Sequence, residues 1–194
     1  MSINKTLVVN KLSIIHSLMK YPFILSLLLS VNALAQVRLP TNEVGQVQYQ
    51  QVVRVPNAKL PARQLMEQVR EWANTHYASS LATEQQYDKE HNILFVKSAY
   101  PINKQLIRYV LTVEPKFGRY RATITELIIE GNGLTVPVLG SSSTAEEIMR
   151  VTGPKEADPK LAEQAAYQQA DLYHQIDKDC RSTLNDLRQS LMKE

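Results

Sequence analysis

Hydrophobic and polar residues repeat with two periods along the chain, and each period predicts one kind of element. Alternation over residues 47–54 predicts a half-buried first strand. Apolar residues spaced three and four apart, from Leu65 to His76, predict an amphipathic helix of about four to five turns, and Pro61 suits its first turn. The period then returns to two and predicts four more strands, over residues 81–87, 93–100, 105–114 and 119–130.

The last two strands are predicted to form a hairpin with a tight turn centred on Lys116 and Phe117. This register sets Val113 opposite Tyr120, Leu111 opposite Ala122, Tyr109 opposite Ile124, Glu114 opposite Arg119, and Thr112 opposite Arg121. Apolar side chains then meet on one face, and an acid meets a base on the other. Glu126 interrupts the inner face, which predicts a bulge or the sheet edge there. Gly131-Asn132-Gly133 is expected to end the sheet.

The chain after the predicted sheet has one short and one long helical pattern. Residues 132–157 are irregular apart from a capping-box sequence at 143–146, which predicts a short helix to about Val151. Asp158-Pro159 suits the start of a helix over 158–192, whose apolar stripe is Leu161, Ala165, Leu172, Ile176, Leu184, Leu187 and Leu191. A helix of ~30 residues spans about 45 Å, against about 20 Å for a six-residue strand. We therefore expect its end to project, bend or meet a second chain.

The predicted order is β-α-β-β-β-β-α, with one apolar sheet face and two amphipathic helices to cover it. The fold class is therefore α+β, a two-layer sandwich of a five-stranded antiparallel sheet and two packed helices. The sheet and first helix are expected to occupy residues 45–131, after a flexible mature N-terminus over residues 36–44.

Residues 19–35 have the layout of a secretory signal peptide. Lys20 precedes a short apolar run, and Ala33-Leu34-Ala35 forms a small-x-small end, which predicts cleavage between Ala35 and Gln36. The run is shorter than the ~20 residues that span a bilayer as a helix. Residues 1–18 are long for the start of such a leader, so translation is predicted to begin at Met19, with an extended leader as the alternative. We expect export to the periplasm or the cell exterior, with no transmembrane segment in the mature chain.

Removal of residues 1–35 changes the charge and leaves a single domain. Of 194 residues, 159 remain, and the formal charge of +3 falls to zero because the leader holds three lysines and no acid. A neutral chain argues against nonspecific binding to nucleic acid. Cys180 is the only cysteine, so an internal disulfide and a cysteine-type zinc site are excluded. We expect its side chain to be buried on the last helix.

No catalytic constellation is visible, and no cofactor is indicated. The sequence has no H-x-x-x-H, G-x-S-x-G or E-x-x-H motif and no phosphate-binding loop. His174 lies three residues from both Asp171 and Asp177, which is a weak metal pattern and more typical of a polar surface. Basic residues are expected on the outer sheet face, where an anion or polysaccharide is one alternative and simple solvation the other. The candidate ligand-binding residues are Tyr49, Tyr109, Tyr120, Arg108 and Arg121.

Several strand and helix segments resemble an exported bacterial family of unknown function described as having a TATA-binding-protein-like (TBP-like) fold. The resemblance covers Val47 to Glu130, about half of the mature chain. It rests on residues 49–53, the helix of Trp72, and residues 93–96, 108–113 and 118–124. It implies the fold and the exported location, and it supplies no activity and no site residues.

Two classes of function follow. The favoured one is a non-enzymatic binding or interaction module of the cell envelope. It would bind a small apolar ligand in a cleft between sheet and helix, or an envelope protein through the last helix. The alternative is an envelope hydrolase or metal-dependent enzyme with a scattered site, for which His174, Asp171 and Asp177 are the candidates.

Overall fold

A computed structural model of the chain describes residues 36–80, 82–131, 133–153 and 158–193. The predicted signal peptide, with Ala33, Ala35 and the predicted start at Met19, lies outside the described residues, as do Leu81 and Asn132. Within the described residues, no helix is both long enough and apolar enough to cross a membrane.

Six strands and three helices make up the described chain. The strands are β1 (Tyr49–Arg54), β2 (Glu84–Asp88), β3 (Ile93–Ile102), β4 (Gln105–Lys116), β5 (Arg119–Gly131) and β6 (Leu134–Pro137). The helices are α1 (Ala62–His76), α2 (Ala145–Thr152) and α3 (Pro159–Leu191). All of the strand pairs are antiparallel, in the order β1-β5-β4-β3-β2, and β6 also pairs with β5. The predicted α+β class and the first and last helices are confirmed.

One face of the sheet forms the core with α1 and α3. Alternate residues of the central strands point inward, and α1 and α3 cover them with the apolar stripes that their spacing predicts. Side chains with no measurable exposure include Leu111, Tyr120 and Ile124 from the sheet and Leu65, Val69, Ile176 and Leu187 from the helices. The interface between sheet and helices is therefore filled.

The sheet has one strand more than predicted. The glycines at 131 and 133 were expected to end it, but β6 folds back and pairs Leu134 with Gly131 and Pro137 with Ile128. The positive φ of Gly133, 76°, permits the reversal. Short strands of four residues carry too little alternation to be detected in a sequence.

The predicted register of the β4–β5 hairpin is wrong by two residues. Lys116 pairs with Arg119 around Phe117 and Gly118, so Val113 lies opposite Ala122 and Glu114 opposite Arg121. Gly118 determines this turn because its φ is 64° and a Cβ there would lie 2.3 Å from the carbonyl oxygen of Ala58. A shift of two residues leaves every side chain on its predicted face.

The predicted irregularity at Glu126 is confirmed. Its φ is 54°, and the register with β4 shifts by one residue between Arg108 and Val110, opposite this position. The bulge places a charged residue outside the core without breaking the strand.

Residues 36–44 were expected to be flexible, but this segment packs on the domain. Val37 and Leu39 are buried. The backbone N–H of Leu39 donates to the carbonyl of Gly140, and that of Val37 donates to Oγ of Ser142. The segment thereby joins the strand-rich body to the chain that follows β6.

The long helix leaves the core at its beginning rather than at its end. Asp158 caps it, and its residues in the main core run from Leu172 to Leu191, whereas Ala162 and Ala166, near its start, are buried outside that core. Leu161 and Ala165, which were predicted on the buried stripe, are exposed. This first part of α3 packs with α2. The capping box of α2 forms one residue later than the predicted 143–146, between Thr144 and Glu147. Of the three expected outcomes for the end of this helix, projection does not occur, because Leu184, Leu187 and Leu191 are buried in the core. Contact with a second chain stays a prediction.

Candidate functional site

The described residues form a groove of about 900 Å³. It lies between α1, the loop from β1 to α1, and the last turns of α3. Pockets of this size suit small-molecule ligands. Apolar and polar groups share its lining, which is formed by Val55, Pro56, Asn57, Leu60, Gln68, Glu71, Trp72, Thr75, His76, Asp186, Gln189, Ser190, Leu191 and Lys193. We call this concavity the α1–α3 groove.

One wall of the groove is formed by one side of α1. Gln68, Glu71, Trp72, Thr75 and His76 recur at intervals of three and four, so one side of the helix carries them all. Leu65 and Val69, on the adjacent stripe, hold that helix on the sheet. The groove wall is thus the border between the buried stripe and the polar face of α1.

The loop from β1 to α1 is held in place by backbone hydrogen bonds. The N–H of Leu60 donates to the carbonyl of Asn57 at 3.0 Å, and the N–H of Lys59 donates to the side-chain oxygen of Asn57 at 3.1 Å. The N–H of Gly118 donates to the carbonyl of Leu60 at 3.0 Å. The loop therefore presents Pro56 and Leu60 to the groove from a fixed position.

Trp72 and His76 form an aromatic pair at the groove. Their ring centroids lie 4.8 Å apart with an angle of 24° between planes, and Tyr77 packs edge-on against both. Trp72 is buried, whereas the His76 residue is exposed. Partial burial lowers the pKa of His76, and the negative charge of Asp186 opposes that shift. A neutral imidazole offers one hydrogen-bond donor and one acceptor to the groove at pH 7.

The three candidate tyrosines lie beneath the helices rather than at the mouth of a cleft. Tyr49, Tyr109 and Tyr120 are all at most 5% exposed, and burial raises the pKa of each. The hydroxyl of Tyr49 donates to Oδ1 of Asp177 at 3.1 Å, and those of Tyr77 and Tyr109 lie 3.0 Å apart. Within the described chain, the hydroxyl of Tyr120 has no hydrogen-bond partner. These side chains serve as core and as links to α1 and α3.

The two candidate arginines lie on the opposite face of the sheet. Nε of Arg108 is 2.7 Å from Oε1 of Glu130, and a terminal nitrogen of Arg121 is 2.6 Å from Oε2 of Glu114. Each arginine is adjacent in sequence to an inward-facing tyrosine, and neighbouring strand residues point to opposite faces. The structure therefore does not bring the candidate tyrosines and arginines together.

The weak metal pattern on α3 is spread around the helix and partly engaged. Asp171 accepts from the side-chain amide of Gln175, and Asp177 accepts from Tyr49 and from Nε of Arg181. His174 is exposed. In the part of the chain that the structure describes, no group of three or more His, Cys, Asp or Glu side chains is arranged to hold a metal ion.

Cys180 is buried on α3, as predicted. Its Sγ lies 3.9 Å from the hydroxyl of Tyr100, and burial raises the pKa of the thiol to about 12. Burial and a raised pKa both disfavour the thiolate, which is the nucleophilic form, at pH 7. Its role is packing between α3 and the sheet.

The groove was not predicted from the sequence, although two of its residues were noticed. Trp72 and His76 stand four residues apart on a predicted helix, which indicates that they are neighbours. Asp186 and Leu191 come from the other end of the chain. Only the packing of α3 beside α1 brings them to the same site.

The chain matches no protein-family model and no curated protein. It is similar in structure to a DUF4468 family protein from Bacteroides ovatus, with a TM-score of 0.57 and 10% identity over 80% of this chain and 91% of that one. The fold is shared with that protein. A TBP-like protein from Parabacteroides distasonis also matches, with a TM-score of 0.47 and 16% identity over 77% of this chain and 96% of that one. The predicted resemblance to a bacterial family of unknown function is confirmed as a likeness of fold.

Proposed function

We propose that the protein is an exported, non-enzymatic binding module of the cell envelope, and that the α1–α3 groove holds its ligand. The groove is the observation that carries this proposal. The layout of residues 19–35 supports export to the periplasm or cell exterior. The mature chain of net charge zero supports a specific site over general electrostatic binding.

The chemistry of the groove favours a polar, hydroxyl-rich ligand over an apolar one. Carboxylates, amides and hydroxyls surround the aromatic pair of Trp72 and His76. Such groups can pair with both donors and acceptors of a sugar-like molecule. The apolar cleft that we expected between sheet and helix is filled by the protein's own side chains, such as Leu111 and Tyr120.

The enzymatic alternative has weaker support. An envelope hydrolase built on His174, Asp171 and Asp177 would need these groups to converge, yet Asp177 is already engaged by Tyr49 and Arg181. His76 and Asp186 in the groove are an acid–base pair in principle. Native mass spectrometry separates binding from turnover, because turnover changes the mass of the ligand.

The test is native mass spectrometry of residues 36–194 purified from their own envelope fraction. We expect a co-purifying polar molecule. Gln189→Trp, on the groove side of α3, should abolish its retention, while the control Gln168→Trp, at an exposed position of the same helix, should keep it. Retention by Gln189→Trp would overturn the site. A change in the mass of the ligand during incubation with the protein would overturn the non-enzymatic proposal.

A second candidate function is self-association of the chain through the start of α3. Val151, Leu161 and Tyr167, on α2 and the first part of α3, are between 62% and 88% exposed. Exposed large apolar side chains are common in contact surfaces. Light scattering of the chain with and without Leu161→Glu tests this. A change in the mass of the assembly supports it, and an unchanged monomer contradicts self-association.

A further inference from the structure

Three cations lie side by side across the outer face of the sheet, at the end where β4 and β5 meet. Arg54 of β1 is directly opposite Arg119 of β5, which is directly opposite Lys116 of β4. Like charges at directly opposed positions of a sheet destabilise it. This row therefore has a cost in the isolated protein.

The protein itself does not neutralise the row. In the next row, Glu114 is taken by Arg121 at 2.6 Å. Asp88, on the neighbouring hairpin, is paired with His91 at 2.7 Å. Among the described residues, no ion pair includes Arg54, Lys116 or Arg119.

A large aromatic side chain stands beside the three cations. Phe117, at the tip of the β4–β5 hairpin, is 64% exposed. The tip is fixed because Gly118 packs closely against Ala58 and because the N–H of Val55 donates to the carbonyl of Gly118 at 3.1 Å. The loop from β1 to α1, which contains Val55 and Ala58, also carries the exposed Lys59. Together, Arg54, Lys59, Lys116, Phe117 and Arg119 form what we call the basic corner.

We propose that the basic corner docks the folded chain on an anionic lipid surface. Phosphate-bearing headgroups would neutralise the cation row, and the ring of Phe117 would enter the boundary between headgroups and acyl chains. A soluble polyanion would satisfy the cations but would leave the phenyl ring in water. Because the net charge of the mature chain is zero, the rest of the chain adds no net attraction to the membrane. Salt screens the attraction of the basic corner beyond about one Debye length, ~10 Å.

This docking is independent of the groove ligand, although the two sites share one loop. Pro56 and Leu60 line the α1–α3 groove, and Lys59 of the same loop belongs to the basic corner. A chain bound through the corner would hold the groove close to the membrane surface. Loss of docking would leave ligand retention in the groove intact, so the two proposals fail separately.

The test is co-sedimentation of residues 36–194 with vesicles of phosphatidylcholine alone or mixed with phosphatidylglycerol. We expect binding only to the mixed vesicles and weaker binding when NaCl rises from about 0.1 M to about 0.5 M. Lys116→Gln/Arg119→Gln should weaken it roughly tenfold or more. The control Lys104→Gln/Lys178→Gln removes the same charge at exposed positions outside the corner and should bind as the natural chain does.

A separate pair of variants tests the contribution of Phe117. Phe117→Ser should weaken binding several-fold, and Leu134→Ser should not, although both natural side chains are about two-thirds exposed. Thermal unfolding of each variant verifies that it is folded. Equal binding to both vesicle types, or equal loss in the control variants, would overturn the proposal. Displacement by dextran sulfate together with no effect of Phe117→Ser would also overturn it, in favour of a soluble polyanion.

Discussion

The hydroxyl groups of Tyr77 and Tyr109 lie 3.0 Å apart in the core and join the end of α1 to the middle of β4. Burial raises the pKa of both phenols, so both are protonated and one donates to the other at pH 7. The bond ties the wall of the α1–α3 groove to the sheet. Removing this hydrogen bond therefore tests how much it contributes to holding α1 on the sheet.

Removing either hydroxyl should lower the free energy of unfolding. Removing both should lower it by less than the sum of the two single losses. Tyr77→Phe and Tyr109→Phe each leave one buried hydroxyl without this partner, so each should lower the free energy of unfolding by about 1–2 kcal/mol. The double variant leaves no orphan from the pair, so the double-mutant cycle should show coupling of about 0.5 kcal/mol or more. Urea unfolding of the four proteins measures it. Strict additivity would show that the two hydroxyls do not depend on each other.

Gly118 should be the least replaceable of the turn glycines. Gly118→Ala places a methyl group 2.3 Å from the carbonyl oxygen of Ala58 at a φ of 64°. Gly45→Ala is the matched control, since Gly45 also has a positive φ, 81°, but nothing lies within 4 Å of its Cβ position. In the control, the positive φ alone should lower the free energy of unfolding by about 1 kcal/mol. Gly118→Ala should lower it by about 2 kcal/mol more, because the added methyl group also clashes. Equal losses in urea unfolding would contradict the steric argument.

The same glycine explains why the topology was predictable and the register was not. Alternation fixes which face each residue takes, so Tyr120 and Ala122 were correctly placed on the inner face. The turn position depends on how closely Ala58 approaches Gly118, and that contact comes from a loop elsewhere in the chain. The bulge at Glu126 was predictable because a charge on an apolar face is a local signal.

The candidate site was less predictable for a related reason. A tyrosine on an inward face is equally compatible with the core and with a cleft, and only packing shows that Tyr109 and Tyr120 are buried. Leu161 was predicted on the buried stripe by spacing alone, yet the sheet does not extend to it. The groove needs Trp72 of α1 and Asp186 of α3 at one place, and no sequence period connects them.

Asp177 should matter for stability far more than Asp171 on the same helix. Asp177 accepts from Tyr49 at 3.1 Å and from Arg181 at 2.9 and 3.0 Å, whereas Asp171 contacts Gln175. Asp177→Ala should therefore cost about 1–2 kcal/mol, and Asp171→Ala at most about 0.5 kcal/mol. Urea unfolding measures both.

The same pair of variants also tests the metal alternative. A structural role for Asp177 predicts that a chelator leaves the unfolding midpoint of the natural chain unchanged. A midpoint that falls with chelator, and no longer responds in either variant, would support a metal site on α3 instead.

The protein should lose stability in alkali, and Cys180 should set where the loss begins. Burial raises the pKa of its thiol from 9.0 to about 12 and also raises the pKa of Tyr49, Tyr77 and Tyr100 above 10.0. Above the ordinary pKa of each group the unfolded chain releases its proton and the folded chain keeps it. The folded state then binds more protons, so the free energy of unfolding falls as pH rises.

The thiol alone should reduce the free energy of unfolding by about 1 kcal/mol between pH 8 and pH 10, and the phenols should add to the loss above pH 10. Cys180→Ala removes the earliest titration, so its loss should begin about one pH unit higher, although its stability at pH 7 is lower because a small cavity remains. Urea unfolding followed by circular dichroism from pH 7 to pH 11 measures both curves. Parallel curves between pH 9 and pH 10 would mean that the thiol is already ionised in the folded protein or never ionises in the unfolded one, and either result contradicts a buried, protonated Cys180.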